Sequence, residues 1–171
     1  RFTLTKSFKN IPFRCSKLYW NRLRNFHDAI RSATLTKTKS GKYELSVLVE
    51  FPNEEFVKFK QTGLLVGVDL GVKDFAVTSD GVVFENKHFN RANEKKMVRL
   101  QQQLSRKKLG SNNRNKIRLK IAKLSEHIAN QKEVYIHEVV NSLLSNYDTI
   151  CSENLNVSGM MKNHHIANAV Q

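Results

Sequence analysis

Short apolar runs separated by turn residues predict strands in the middle of the chain. Residues 64–70 form a nearly continuous apolar run that ends at Gly71, and such a run predicts a strand buried on both faces. Residues 75–78 and 82–84 form two further runs, and the Asp80-Gly81 pair between them favours a type I′ hairpin. The pattern predicts an antiparallel meander of three strands.

A helical pattern fills the next stretch. Met97, Leu100 and Leu104 follow a 3,4 spacing up to a break at residues 110–113, where the glycine suits a helix C′ position and Ser111 or Asn112 an N-cap. A second apolar stripe then contains Ile117, Ile121, Leu124, Ile128, Tyr135, Val139 and Leu143. Two such stripes joined by a short connection predict an antiparallel helical hairpin.

A fourth strand is predicted at residues 149–152, after the helices. A strand that returns through helices most simply lies parallel to the strand it left, through a right-handed crossover. Asp69 near the end of the first strand and Glu153 after the fourth would then lie at the same edge of one sheet.

Two neighbouring carboxylates repel each other unless a cation lies between them. Oxygen ligands of this kind suit Mg²⁺ or Mn²⁺, and paired ions of this type serve phosphodiester hydrolysis. The alternative is that Asp69 caps the turn at Gly71 and Glu153 is a solvated strand end.

The first sixty residues predict a small β structure. Residues 32–39 and 43–51 flank Ser40-Gly41, a hairpin signal, and the alternation of apolar and polar residues is that of a half-exposed sheet such as a barrel wall. The predicted organisation is a β-barrel-like segment at residues 1–62 and an α/β segment at residues 63–171.

Positive charge is concentrated away from the two candidate acids. The net charge is +14, and residues 1–60 carry 13 basic and 5 acidic side chains while residues 84–133 carry 14 and 4. The segments that hold Asp69 and Glu153, residues 61–83 and 134–171, are each −2. Basic flanks around an acidic centre favour a polyanionic partner.

One group of basic residues lies between the two acids, and it is predicted to bind nucleic acid. Like charges at i,i+4 destabilise a helix, so a group this dense and one-signed favours a phosphate-binding face over a bare solvated face. Its members are Arg106, Lys107, Lys108, Arg114, Lys116, Arg118, Lys120 and Lys123.

Three motifs carry a resemblance to a known family. They lie at residues 66–77, 104–108 and 151–163, in the order and spacing of the TnpB family, the OrfB "accessory transposases" of insertion sequences that resemble compact relatives of type V CRISPR effectors. Residues 1–60 resemble the wedge region of that family. The resemblance implies a ribonuclease-H-like (RuvC-like) core with a helical hairpin insertion, preceded by part of a β-barrel wedge.

The resemblance also implies the chemistry. Asp69 and Glu153 are the expected first and second catalytic acids, with Mg²⁺ or Mn²⁺ as cofactor and with guide RNA and target DNA as partners. Family members continue into a zinc ribbon and a third catalytic aspartate. Cys15 and Cys151 form no CxxC pair, so no zinc site is expected here, and the chain is expected to be a fragment whose own cleavage is impaired.

Three function classes follow from these observations. The first is part of an RNA-guided DNA endonuclease. The second is a nucleic-acid-binding remnant that is catalytically silent. The third, an actin-like ATPase, is disfavoured because neither a second phosphate loop nor a glycine-rich adenosine motif is visible. With no apolar stretch of about 18 residues and no signal-peptide core, the expected location is the cytoplasm.

Overall fold

The computed structural model describes residues 11–50, 61–155, 160 and 162. In chain order, the helices and strands are α1 (Lys17–Asn25), a 3-10 turn (His27–Ala29), β1 (Ile30–Lys37), β2 (Tyr43–Val49), β3 (Leu65–Leu70), β4 (Asp74–Thr78), β5 (Val83–Glu85), α2 (Phe89–Ser105), α3 (Asn112–Asn146) and β6 (Thr149–Ser152). The chain divides into two compact units, Arg1–Thr38 with Lys42–Val57 and Lys39–Gly41 with Lys58–Gln171.

The first unit contains α1 and the strand pair β1-β2. The strands pair antiparallel from Ile30 opposite Val49 to Lys37 opposite Tyr43, so the predicted hairpin is confirmed. Gly41 in the connecting turn has a φ of +86°, which glycine adopts without strain. The assignment of residues 1–62 to a barrel, like the other domain assignments, stays a prediction.

The second unit is built on a four-stranded sheet in the order β5-β4-β3-β6. β3 pairs antiparallel with β4, and β4 pairs antiparallel with β5, as the meander predicts. β6 lies parallel to β3, with Leu65 opposite Thr149 and Val68 opposite Ser152. The predicted return of the chain to a position beside the first strand of the sheet is therefore confirmed.

The turn between β4 and β5 differs from the predicted type I′ turn. A type I′ turn needs a positive φ at both central residues, whereas in this loop only Gly81 has one, at +90°. The amide of Gly81 donates to the carbonyl of Thr78 at 3.0 Å, and the amide of Val82 donates to Oγ1 of Thr78 at 2.9 Å. The threonine hydroxyl therefore favours a three-residue loop with glycine in the left-handed position.

The helical hairpin is confirmed, although its turn begins earlier than predicted. α2 ends at Ser105, so Gly110, with a φ of +74°, lies in the connection and is not the C′ residue. The side chain of Ser111 accepts from the amide of Arg114 and caps α3. α3 has 35 residues. At 1.5 Å per residue it is about 52 Å long.

α3 is buried along the predicted stripe. Val139 and Leu143 pack against Val66, Val68 and Ala76 on one face of the sheet. Nearer the start of α3, the buried residues are Ile117, Leu124 and Ile128. The C-terminal half of α3 thus packs on the sheet, and a second group of buried apolar residues lies in its N-terminal half.

The result is a mixed α/β structure. Within residues 11–50 and 61–155, no helix is both long and apolar enough to cross a membrane. Most of the motif at residues 151–163 that follows Leu155 lies outside the described residues.

Candidate metal centre and nucleic-acid interface

Asp69 lies on the face of the sheet opposite α3. Side chains alternate along a strand, and Val66 and Val68 of β3 face the core with α3. Asp69 therefore lies on the other face, which we call the outer face, and there it is exposed, opposite Val77 of β4. Leu65 of the same face is 71% exposed.

Glu153 follows β6 directly, and the strand register sets it beside Asp69. Val68 and Ser152 are the last partners in the parallel pair, so extending the register by one residue, past the end of β6, places Glu153 opposite Asp69. Neighbouring strands lie about 4.8 Å apart, and both residues fall on the outer face by alternation. The structure thus brings together the two acids that the sequence singled out, and we call them the carboxylate pair. Their catalytic role stays a prediction.

The charge of the carboxylate pair is not neutralised within the described part of the chain. Neither Asp69 nor Glu153 takes part in a salt bridge there, and both are exposed. Two adjacent exposed carboxylates that lack a basic side chain suit a divalent cation with oxygen ligands. No group of three or more potential ligands from His, Cys, Asp and Glu occurs among the described residues.

Two other acids near the sheet have structural partners. The carboxylate of Asp80 accepts hydrogen bonds from the hydroxyls of Thr78 and Tyr147, and these bonds hold its pKa below the ordinary value. Tyr147 follows α3, so this contact ties the β4-β5 turn to the end of the helix. Donation to Asp80 also raises the pKa of Tyr147.

Asp148 fixes the alignment of β3 with β6. Its carboxylate accepts from the amide of Thr62 at 2.8 Å and from that of Gly63 at 2.6 Å, and these bonds lower its pKa. Its own amide donates to the carbonyl of Leu64 at 2.9 Å. These bonds join the residues just before the two strands, so they set the register that places Glu153 beside Asp69. Sequence reasoning located Asp148 before a strand but missed this role, because its partners are 85 and 86 residues away.

Gly71 closes the turn that follows Asp69. A Cβ atom at this position would lie 2.9 Å from the carbonyl oxygen of Asp74, closer than real side chains come. The amide of Gly71 donates to the carbonyl of Phe75 at 3.4 Å. Glycine is therefore required here because the backbone of Asp74 comes close. A positive φ is not the reason, since the φ of Gly71 is not positive.

Some of the predicted nucleic-acid-binding residues are not on a helix face. Arg106 is the C-cap of α2, and Lys107 and Lys108 lie in the turn before α3. All are exposed. The helical placement of these residues was wrong because α2 ends five residues before the glycine that was expected to terminate it.

Arg114 is half-buried, and its side chain forms hydrogen bonds that hold two helices together. Its guanidinium donates to the carbonyl of Leu104 at 2.8 Å and to that of Lys107 at 3.2 Å. These carbonyls belong to the end of α2 and the turn after it, and that of Leu104 also accepts from the amide of Lys107 at 3.1 Å. Arg114 thus joins the two helices, and its predicted contact with nucleic acid is untested.

The remaining basic residues of α3 fall on two sides of the helix. At about 100° per residue, Lys116, Lys120 and Lys123 follow each other at i, i+4 and i+7 along one face. We call these three exposed residues the lysine stripe. Arg118 projects about 160° away from their mean direction, on the other side of the buried stripe.

Cys151 is exposed, although it lies within an apolar run. It pairs with Gly67 on the outer face, two residues before the carboxylate pair. The apolar pattern of residues 149–152 predicted a strand correctly but could not show whether both of its faces are covered.

Comparisons with known proteins point in one direction. A family model, OrfB_IS605, described as "Probable transposase", matches residues 46–164. The chain is 38% identical to the "Putative RNA-guided DNA endonuclease InsQ" of Escherichia coli K12 over 85% of this chain and 36% of that protein. It is 27% identical to a "Putative RNA-guided DNA endonuclease" of Streptomyces pristinaespiralis, over 81% of this chain and 34% of that protein. The chain spans about a third of the length of these relatives.

Proposed function

Because the chain belongs to the OrfB_IS605 family of probable transposases, we propose that it supplies part of the catalytic and nucleic-acid-binding machinery of an RNA-guided DNA endonuclease. The observation that carries this proposal is the register of β3 and β6, which sets Asp69 beside Glu153 on one face of the sheet. The family match and the names of the relatives supply the reaction class, which the fold alone does not determine.

The strand order supports a ribonuclease-H-like, RuvC-like core. Three strands form an antiparallel meander, a helical segment follows, and β6 returns parallel to β3. In this proposal the strand pair β1-β2 is part of a barrel-like wedge, and guide RNA and target DNA are the partners.

The carboxylate pair would hold Mg²⁺ or Mn²⁺. Such an ion, when bound, activates water and neutralises charge that develops on a phosphodiester. The chain itself contributes the two carboxylates, the Asp148 bonds that align their strands, and the basic side chains that hold the phosphate backbone. A catalytically silent nucleic-acid-binding remnant is the alternative.

The test replaces the matching segment of the E. coli relative with residues 46–164 of this chain. We expect the chimera to cleave guide-matched DNA in Mg²⁺, with the unaltered relative as reference. Asp69→Asn and Glu153→Gln should each reduce cleavage by about 10²-fold or more, because a charge-stabilising group is lost, and should leave guide-RNA binding unchanged. Glu94→Gln, at an exposed site on α2, is the matched control. Full cleavage by either acid variant would contradict the assignment and favour the remnant.

A further inference from the structure

The N-terminal half of α3 and the helix α2 together form an arm that extends past the sheet. The buried residues of α3 that pack on the sheet begin at Val139, whereas the helix begins at Asn112. At 1.5 Å per residue, the part between them is about 40 Å long. α2 packs against this part, and Ile117 and Leu124 are buried there. The arm therefore has apolar residues of its own that support its tip.

Leu109 lies at the tip of this arm. Its exposure of 79% is the highest among the large apolar side chains of the described residues. Leu109 and Gly110 are the central residues of a turn in which the amide of Ser111 donates to the carbonyl of Lys108 at 3.2 Å. The φ of Gly110, +74°, is that of a type II turn. The leucine thus occupies a corner of the turn and contacts little of either helix.

Hydrogen bonds on both sides fix this turn. The hydroxyl of Ser111 donates to the carbonyl of Lys108 at 2.8 Å and accepts from the amide of Arg114 at 3.2 Å. The guanidinium of Arg114 donates to the carbonyls of Leu104 and Lys107. The apolar side chain at the corner could pack on α2 or α3 only if these bonds broke. A partner that covers it must therefore come from outside the arm.

The surroundings of Leu109 are uniformly basic. From residue 95 to residue 125 the chain contains 11 basic and no acidic side chains. Arg106, Lys107 and Lys108 are exposed and take part in no salt bridge among the described residues. Such a surface attracts a polyanion. A lipid surface is disfavoured, because stable contact with a membrane takes more apolar area than one leucine offers.

We propose that Leu109 is an apolar wedge that inserts between two stacked base pairs of a nucleic-acid duplex, while Arg106, Lys107 and Lys108 contact the neighbouring phosphates. The inference rests on the proposed function, which supplies the duplex. Proteins that kink a duplex insert leucine and similar side chains between base steps and partly unstack them. Insertion removes the leucine from water, and the lost base stacking is the opposing cost.

The test compares the binding of the 171-residue chain to an intact DNA duplex and to the same duplex with one abasic site. Fluorescence anisotropy at a fixed, low salt concentration measures both affinities. The abasic site has already lost stacking at that step, so a wedge enters it at a lower cost. We expect the abasic duplex to bind about tenfold more tightly. The same pair as RNA–DNA hybrids shows which kind of duplex accepts the wedge.

Variants separate the wedge from the basic residues around it. Leu109→Ala should abolish the preference for the abasic duplex, and its melting temperature should be unchanged because the side chain is so exposed. Leu109→Met keeps an apolar side chain of similar volume and should retain the preference. Leu144→Ala makes the same change at an exposed position near the end of α3 and should also retain it. Replacing Lys107 and Lys108 with glutamine should weaken both complexes and preserve their ratio.

A second measurement detects insertion into intact DNA. Permanganate oxidises thymines that have lost their stacking, and TA steps unstack more easily than most. Saturating a duplex that contains several TA steps with the unaltered chain should make their thymines reactive. Saturation with Leu109→Ala should leave them protected.

The outcomes distinguish the inference from the proposed function. Equal binding of intact and abasic duplexes in both polymers, or a preference that survives Leu109→Ala, overturns the wedge and leaves the proposed function intact. Absence of binding to every duplex overturns both. Binding to phosphatidylglycerol vesicles that requires Leu109, without a preference for the abasic duplex, would assign the tip to a lipid surface and would also overturn the wedge.

Discussion

Gly71 follows the strand that carries Asp69, and a methyl group there would lie 2.9 Å from the carbonyl oxygen of Asp74. We expect Gly71→Ala to lower the free energy of unfolding by about 1–3 kcal/mol, because the backbone must move to relieve the overlap. The shift should also weaken Mn²⁺ binding, since it displaces the end of β3. Urea unfolding and Mn²⁺ titration by electron paramagnetic resonance measure the two effects.

Gly67 of the same strand provides the matched control. A Cβ atom there would lie 3.6 Å from the Cβ of Ser79, which is an ordinary contact. Gly67→Ala should leave stability unchanged or raise it, because alanine restricts the unfolded chain more than glycine does. If the two alanine variants had equal stability, the close approach at Gly71 would not be a real constraint.

Asp148 gives the fold a predictable response to acid. Its pKa is held below the ordinary value by the amides of Thr62 and Gly63, so the ionised carboxylate stabilises the folded chain above the ordinary pKa. That contribution is lost as the pH falls through the lowered pKa of the folded state. We expect Asp148→Asn to melt at a lower temperature than the unaltered chain near neutral pH, and the difference to shrink below about pH 4.

Melting curves recorded from neutral to acidic pH measure this difference. Glu94→Gln, on the exposed side of α2, should show no difference at any pH. A difference for Asp148→Asn that stays constant across the range would mean that the charge of Asp148 has no part in joining β3 to β6.

At the scale of whole elements, the sequence correctly predicted the features that depend on the spacing of apolar residues. The stripe from Ile117 to Leu143 marked the buried side of α3, and Val139 and Leu143 do face the sheet. The strand at Thr149–Ser152 and its place beside β3 followed from apolar runs and chain connectivity. These features depend on local pattern and on simple rules of topology.

Features decided by tertiary contacts were missed. α2 ends at Ser105 where the carbonyls of Leu104 and Lys107 accept from Arg114, a residue of the next helix. The exposure of Cys151 depends on whether the outer face of the sheet is covered, and the residue pattern of one strand does not contain that information. The bonds from Asp148 to residues before β3 are likewise invisible in a local window.

The lysine stripe on α3 predicts a measurable electrostatic response. Each phosphate contact lowers the slope of log K against log salt by about 0.7 for a single strand and about 0.9 for a duplex. Replacing Lys116, Lys120 and Lys123 together with glutamine should therefore make this negative slope shallower by about 2 to 3. Anisotropy titrations at a series of salt concentrations measure it.

The same three positions changed to arginine are the charge-matched control, and the slope should be retained. All three side chains are exposed, so neither variant should unfold the chain. If the glutamine variant kept the original slope, the phosphate path would lie elsewhere on the protein.

At the scale of the whole molecule, the basic residues and the two candidate metal ligands are concentrated in different segments of the chain. The residues between the two acids include a segment, 84–133, with 14 basic and 4 acidic side chains, whereas the segments that contain the acids are each −2. Basic segments attract a polyanion, and the sheet keeps two carboxylates free of basic partners within the described residues. In the proposed function, a divalent cation would reconcile the acids with a phosphate backbone.

The central claim is that Asp69 and Glu153 hold one divalent cation together. Its most direct test is a Mn²⁺ titration of the ¹⁵N-labelled chain, in which paramagnetic relaxation broadens the amide signals nearest the ion. We expect the signals of both residues to broaden together at the lowest Mn²⁺ concentrations. Asp69→Asn and Glu153→Gln should each weaken binding by about tenfold or more, since even outer-shell partners of a metal ligand contribute that much. Broadening centred on other residues, or unchanged binding in either variant, would contradict the account.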